Sequence, residues 1–144
     1  MSLEAVLQDD TTRAAVIDDG VAFLQDEVNR RGGVKGKAIQ TAYKGFTKMR
    51  PGMDRHAIEK LLPAMAPTLD PHYEQAKAAG DVDGYFSSNA DTIATDLLEV
   101  TDKWADASSN KALKKLYGGV RKMAHGPTAE SVPNLVPLIE KHAG

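Results

Sequence analysis

The sequence predicts an all-α fold, a helical bundle of about seven or eight helices. Three observations support this prediction. Apolar residues recur at the three- and four-residue spacing of amphipathic helices, glycines and prolines interrupt that spacing at intervals, and no stretch of useful length alternates as a strand would. The 144 residues are 42% apolar and 26% charged, which is typical of one globular domain with its own core.

The first three predicted helices lie between residues 12 and 67. A long helix is expected over 12–31, with a threonine cap and two glycines after it, and a second helix over 34–50, stopped by a Pro-Gly pair. Asp54 is expected to cap a third, short helix, and Pro63 is expected to kink or end it. This part of the chain therefore predicts a long helix, a helix and a short broken helix.

The same order of helices returns after a linker. Residues 68–87 form this linker, with a helix predicted over 71–79. Ser88 and Asp91 then suit a capping box for a second long helix, and Ser109 is expected to open the helix over 110–125. A last helix contains two prolines.

This recurrence predicts an internal duplication. At a shift of 74, nine of the 29 residues over 37–65 are identical to those over 111–139, without a gap. The alternative is a chance match, since helical segments often share Ala, Leu and Lys. We expect a single domain, 1–144, in which two pseudo-symmetric three-helix repeats, 12–67 and 88–141, are joined by 68–87 and bury their apolar faces on each other.

No familiar catalytic or metal-binding pattern is present in the sequence. The chain has no cysteine, which excludes disulfides, thiolate nucleophiles and Cys-based metal sites. No serine lies in a Gly-x-Ser-x-Gly elbow, and no Glu is followed three residues later by His. The glycine-rich segment 32–38 lacks the Ser or Thr of a phosphate-binding loop. The sequence therefore names no catalytic residue, no metal and no cofactor.

Charge is distributed unevenly among the predicted helices. The helices over 34–50 and 110–125 carry basic residues and no acid, whereas the two long helices are acidic. The candidate basic-face residues are Lys35, Lys37, Lys44, Arg50, Lys111, Lys114, Lys115 and Arg121. Either the basic helices share a solvated rim with the acidic ones, or they form two symmetry-related faces for phosphates or an acidic protein.

Two glycines lie inside the predicted basic helices. Gly45 and Gly119 each destabilise a helix by roughly 0.5 to 1 kcal/mol relative to Ala, so each position needs a reason. The favoured reason is close crossing of helices, which predicts that Gly→Leu destabilises the protein at both positions. The other hypothesis is space for a ligand beside the matched tyrosines. Its candidate residues are Tyr43, Lys48, Tyr117 and Lys122.

The function predicted first is a non-enzymatic binding or interaction module. The alternative is a binder of nucleic acid or of a phosphorylated ligand through the basic helices, and the third hypothesis is an enzyme with an unrecognised site. The net charge of −2 gives no global attraction to polyanions, and no segment has the pattern of a signal peptide or a membrane span. A cytoplasmic protein with no membrane partner is therefore expected, with its oligomeric state left open.

Overall fold

The computed structural model describes residues 2–144, which form helices and connecting turns with no strand. In chain order the helices are α1 (Leu3–Val6), α2 (Asp10–Arg30), α3 (Gly33–Lys48), α4 (Met53–Ala79), α5 (Val82–Ser88), α6 (Ala90–Ala107), α7 (Lys111–Arg121), α8 (His125–Ser131), a short 3-10 helix (Val132–Leu135) and α9 (Val136–Ala143). The prediction of an all-α fold is confirmed.

Helix α4 is the largest departure from the predicted elements. The expected break at Pro63 does not occur, and the helix continues through Pro63, Pro67 and Pro71, so that the predicted linker is largely helical. The prolines are four residues apart, lie on one face of the helix, and are all exposed. The carbonyls that lose a backbone partner belong to residues 59, 63 and 67, which are also exposed, so water can satisfy them.

Two helices are capped by a residue other than the predicted one. Asp9 caps α2 by accepting a hydrogen bond from the Thr12 backbone N–H at 2.8 Å, so the threonine lies in the first turn. Asn110 rather than Ser109 caps α7, and its side chain accepts from the Leu113 N–H at 3.0 Å. Both caps are short polar side chains that satisfy a free backbone donor.

Two other predicted caps are wrong. Helix α4 begins after Gly52, whose φ of 71° is left-handed, and Asp54 lies in its first turn instead of at the cap. Helix α6 begins after Asn89 with no side-chain cap, so Ser88 and Asp91 form no capping box. The Gly52 start follows from the tight turn between α3 and α4, because a left-handed backbone is comfortable only for glycine.

The packed core lies where the second half of α4 meets α5, the first half of α6, and the C-terminal segment. Tyr73, Phe86, Ile93 and Val132 are the largest side chains that are fully buried. Helix α1 covers the same core with its apolar residues. This region supplies most of the close packing in the molecule.

The contacts between helices are partly similar in the two halves of the chain. Helix α2 packs on α3 and α4, helix α6 packs on α7 and α8, and α3 packs on α7. The third helix differs between the two parts, because α4 is continuous whereas its counterpart is divided among α8, the 3-10 helix and α9. The duplication into three-helix repeats stays a prediction.

The glycines inside the basic helices are not explained by close crossing. A Cβ at Gly45 would lie 3.9 Å from the nearest atom of Leu116, which is an ordinary van der Waals distance. A Cβ at Gly119 would meet nothing within 4 Å. The close-crossing prediction is therefore wrong at Gly119, and at Gly45 no neighbour is close enough to require glycine.

No helix within residues 2–144 combines the length and the apolar character that crossing a bilayer requires.

Candidate functional site

A cavity of about 430 Å³, partly open to solvent, lies between the helices of the bundle, beside the packed core. Its wall is formed mainly by α2, the first half of α4, α6 and the C-terminal helices. The wall is almost wholly apolar, and it includes Phe23, Leu24, Leu61, Met65 and Leu138. These large side chains are only half-buried, because they face the cavity instead of close-packed neighbours. The volume is typical of a small-molecule site.

The cavity forms because packing loosens along α4 and α6. In the core, Leu69 and Tyr73 of α4 are buried, whereas Ile58 and Leu62, nearer the N-terminus of the same helix, are half-buried and line the cavity. The chain places Gly20 on the facing side of α2, where a larger residue would occupy the space. Protein interiors seldom contain voids much larger than a water molecule, so this space needs an explanation.

The basic helices also contribute to the cavity. Ile39 of α3 and Val120 of α7 line it, while the lysines of both helices are exposed to solvent. Helices α3 and α7 therefore have a double role, an apolar inner surface and a cationic outer surface.

A buried carboxylate lies at the C-terminal end of α2, on the wall of the cavity. Glu27 is only 6% exposed. Its Oε1 accepts hydrogen bonds from Arg31 and Asn134, each at 3.0 Å, and its Oε2 lies 3.0 Å from a guanidinium nitrogen of Arg30. Burial of a charge is unfavourable unless it is paired, and here both carboxylate oxygens have partners.

The guanidinium of Arg31 connects this carboxylate to α8. Its side chain is 14% exposed, and besides Glu27 it contacts Glu130 Oε2 at 2.5 Å and Ser131 Oγ at 2.5 Å. The Ser131 hydroxyl in turn donates to the Pro127 carbonyl at 2.9 Å. Arg31 and Ser131 both line the cavity, so they give the apolar space one polar boundary.

A histidine forms a second polar contact at the cavity wall. The His142 side chain is 10% exposed, and its Nε2 lies 2.7 Å from Asp19 Oδ2. Lys141 Nζ lies 2.9 Å from the same oxygen. Hydrogen bonds from Lys141 and then His142 hold the pKa of the Asp19 carboxyl below its usual value. The imidazole of His142 is therefore largely buried and paired with a carboxylate.

Glu27 is one of the acids that make the predicted helix over 12–31 acidic, but the structure buries it instead of placing it on a solvated rim. The signal was present, since Glu27 follows Phe23 by four residues and Leu24 by three, which places it on the apolar face. Arg31, four residues further on, is on the same face. An acid on an apolar stripe with Arg one turn later is typical of a buried pair.

The predicted basic residues lie on the outside of α3 and α7. Within residues 2–144, Arg121 is the one member of the set with an ion pair, from its Nε to Asp102 Oδ1 at 2.9 Å. The others are exposed and lie beyond ion-pair distance of any described acid; they are Lys35, Lys37, Lys44, Lys48, Arg50, Lys111, Lys114, Lys115 and Lys122. We call these nine residues the basic face. The basic and acidic helices are neighbours, but they are joined by one ion pair only.

Two of the four predicted ligand-binding residues line the same surface cleft. Tyr117 and Lys122 lie in a cleft between α6 and α7 with Lys114 and Arg121, whereas Tyr43 and Lys48 lie outside that cleft. Ligand binding by the four residues stays a prediction.

Each of these two tyrosines donates a hydrogen bond to a different carboxylate. The Tyr117 hydroxyl donates to Asp102 Oδ1 at 2.5 Å, and the Tyr43 hydroxyl donates to Asp54 Oδ2 at 2.6 Å. Burial, together with the neighbouring carboxylate, raises the pKa of Tyr117 to about 12 and raises the pKa of Tyr43 as well. The acids come from different elements, α6 for Tyr117 and α4 for Tyr43, so the two environments are not copies of each other.

Across the described residues 2–144, no three acidic or histidine side chains come together as metal ligands would.

Comparison with known proteins assigns the chain to a family but not to an activity. Residues 3–143 match DUF6918, which is described as a family of unknown function. No curated protein and no solved structure matches the chain significantly.

Proposed function

We propose that this chain, which belongs to the DUF6918 family, is a non-enzymatic binding protein that holds an apolar small molecule in its interior cavity. The observation that carries the proposal is the cavity of about 430 Å³ with an almost wholly apolar wall. Apolar cavities exclude water and accept apolar molecules of matching size. A binding role also fits the absence of any recognisable catalytic constellation in the sequence.

The size of the cavity indicates the size of the ligand. At about 30 Å³ for each water-sized group, the space accommodates about 14 non-hydrogen atoms. A ligand of that size gains roughly 25 cal/mol for each Å² of apolar surface that it buries. It would also supply the packing contacts that Phe23, Leu61 and Met65 lack in the empty protein.

Fluorescence titration with 1-naphthylamine, a neutral probe with 11 non-hydrogen atoms, tests the proposal. We expect saturable binding of one probe per chain and displacement by 1-dodecanol, which has 13 non-hydrogen atoms. Saturating dodecanol should also raise the urea midpoint of unfolding, because a ligand that binds only the folded state stabilises it. Non-saturable probe signal, or no rise in the midpoint, would contradict a binding cavity.

A second candidate function is contact with a polyanion through the basic face. The specific observation in its favour is that nine exposed cations, on two packed helices and just after their C-terminal ends, have no acidic partner among the described residues. Such a surface attracts phosphates through local charge despite the net charge of −2. Lys114 and Lys122 of the basic face line the cleft that contains Tyr117. An acidic protein partner and a cytoplasmic location also stay predictions.

Salt-dependent binding to a short RNA duplex tests the second candidate. The triple variant Lys111→Gln, Lys115→Gln, Lys122→Gln should weaken binding and reduce the slope of log affinity against log salt. The matched control removes three exposed lysines elsewhere, Lys60, Lys77 and Lys103. Equal loss in both variants, or affinity that does not depend on salt, would exclude a dedicated face.

A further inference from the structure

We propose that the cavity ligand is an amphipathic carboxylic acid, whose carboxylate binds Arg31 in place of Glu130 and whose chain fills the apolar space. This inference rests on the proposed function and names its ligand class. A free fatty acid of about twelve carbons has the required shape and size, because dodecanoic acid has 14 non-hydrogen atoms.

The polar boundary of the cavity lies at Arg31. Its guanidinium is largely buried between α2 and α8, and Ser131 beside it also lines the cavity. A guanidinium presents several N–H donors in one plane and binds a carboxylate through two parallel hydrogen bonds. An acid whose chain lies among Phe23, Leu24 and Leu61 would therefore place its head group at this donor.

Two carboxylates, Glu27 and Glu130, pair with Arg31, and they differ in how readily a ligand could displace them. Glu130 is 68% exposed and reaches Arg31 through a single oxygen at 2.5 Å. Glu27 is buried and holds three donors, from Arg30, Arg31 and Asn134. Release of Glu130 into water loses little, since exposed ion pairs contribute little. Release of Glu27 would break a buried network, so Glu130 is the exchangeable partner.

The local charge favours an anionic head group over a cationic one. Once Glu130 has left, two guanidinium groups, Arg30 and Arg31, face one carboxylate, Glu27, which leaves a charge of +1 at this end of the cavity. A ligand carboxylate restores neutrality there. A ligand ammonium would lie beside two guanidinium groups and the one carboxylate that both of them already pair with, so it would add a third positive charge there.

The test compares dodecanoate, 1-dodecanol and dodecylamine at pH 8, by displacement of 1-naphthylamine from the wild type and from Glu130→Gln. We expect dodecanoate to bind about tenfold more tightly than dodecanol, as a charge-assisted hydrogen bond implies. Glu130→Gln should tighten dodecanoate about two- to fivefold, because the ligand no longer competes with a carboxylate, and should leave dodecanol unchanged. The control is Glu99→Gln, an exposed residue of α6 with the same change in charge.

Three results would overturn the inference, and they differ from failure of the cavity itself. If all three compounds bind and Glu130→Gln leaves dodecanoate unchanged, the acid does not replace Glu130, and the apolar cavity stands. If Glu99→Gln tightens dodecanoate as much as Glu130→Gln does, the gain in affinity comes from the lower negative charge of the protein and not from the site at Arg31. Tightest binding of dodecylamine would assign the opposite head group. No binding of any compound would refute the proposed function together with the inference.

Discussion

Replacement of Gly20 by leucine would fill the cavity from the side of α2. A Cβ at Gly20 would lie 3.4 Å from Cγ2 and 3.7 Å from Cδ1 of Ile58, which are ordinary contacts, and the residue lines the cavity. The change gains about 1 kcal/mol of helix propensity and about 1.5 to 3 kcal/mol from burial of the side chain. It loses about 0.5 to 1 kcal/mol of side-chain entropy. We expect Gly20→Leu to stabilise the protein by about 2 kcal/mol and to abolish probe binding.

Urea unfolding and probe titration measure the two effects separately. The urea midpoint should rise at unchanged slope, since a changed slope would indicate a changed unfolded state. The matched control is Gly119→Leu in α7, where a Cβ meets nothing within 4 Å. That variant should gain only the helix propensity of about 1 kcal/mol and should bind the probe normally.

Each outcome at Gly20 has a defined meaning. A lower urea midpoint would show overpacking, which typically destabilises by about 1 to 3 kcal/mol, and would refute the reasoning that space is available beside Ile58. A higher midpoint with unchanged probe binding would show that the cavity can be filled but is not where the ligand lies.

Three further predictions follow from the contacts of single side chains. Glu27→Gln should destabilise the protein by about 3 kcal/mol in urea unfolding, because it leaves the largely buried guanidinium of Arg31 without its buried counter-charge, whereas the exposed control Glu99→Gln should have little effect. Asn110→Ala should lose about 1 kcal/mol with the cap of α7, and an unchanged midpoint would contradict that cap. Asp102 has a folded-state pKa below 3.8, because hydrogen bonds from Tyr117 and Arg121 outweigh the opposing effect of burial. Its contribution is therefore fully present above pH 3.8 and is lost as the pH falls through the lower, folded value. In that acid range the urea midpoint of Asp102→Asn should fall less steeply with pH than that of the wild type. If the two pH profiles are identical, the Asp102 carboxylate does not contribute to stability.

The fold class was predictable because apolar spacing reports which face of a helix is buried. The stripe of α2 placed that helix within a few residues of its observed ends, and the stripe of α6 predicted the second long helix. The length of α4 was not predictable from apolar spacing, because a proline such as Pro63 is expected to kink or end a helix. Proline is tolerated inside this helix because three prolines share the exposed face, and that alignment depends on the burial of the opposite face in the tertiary structure.

The candidate site was harder to predict than the fold. An apolar stripe shows that Leu24 or Leu61 faces inward, but it does not show whether the opposite side chain reaches it, so the cavity has no signature in the sequence. The cationic character of α3 and α7 was visible, whereas the use of their other side as a cavity wall was not. Tyr43 and Tyr117 match in sequence and differ in partner, because the adjoining helices diverge.

The uneven packing along α4 has a consequence for the dynamics of the chain. Backbone amides exchange with solvent through local opening, which is easiest where few apolar contacts must be broken. The amides around Tyr73 and Phe86 should therefore exchange with deuterium only on nearly global unfolding, while those of α3 should exchange through smaller fluctuations. Such fluctuations of α3 would also admit a ligand past Ile39, and an occupied cavity would then slow exchange in that helix first.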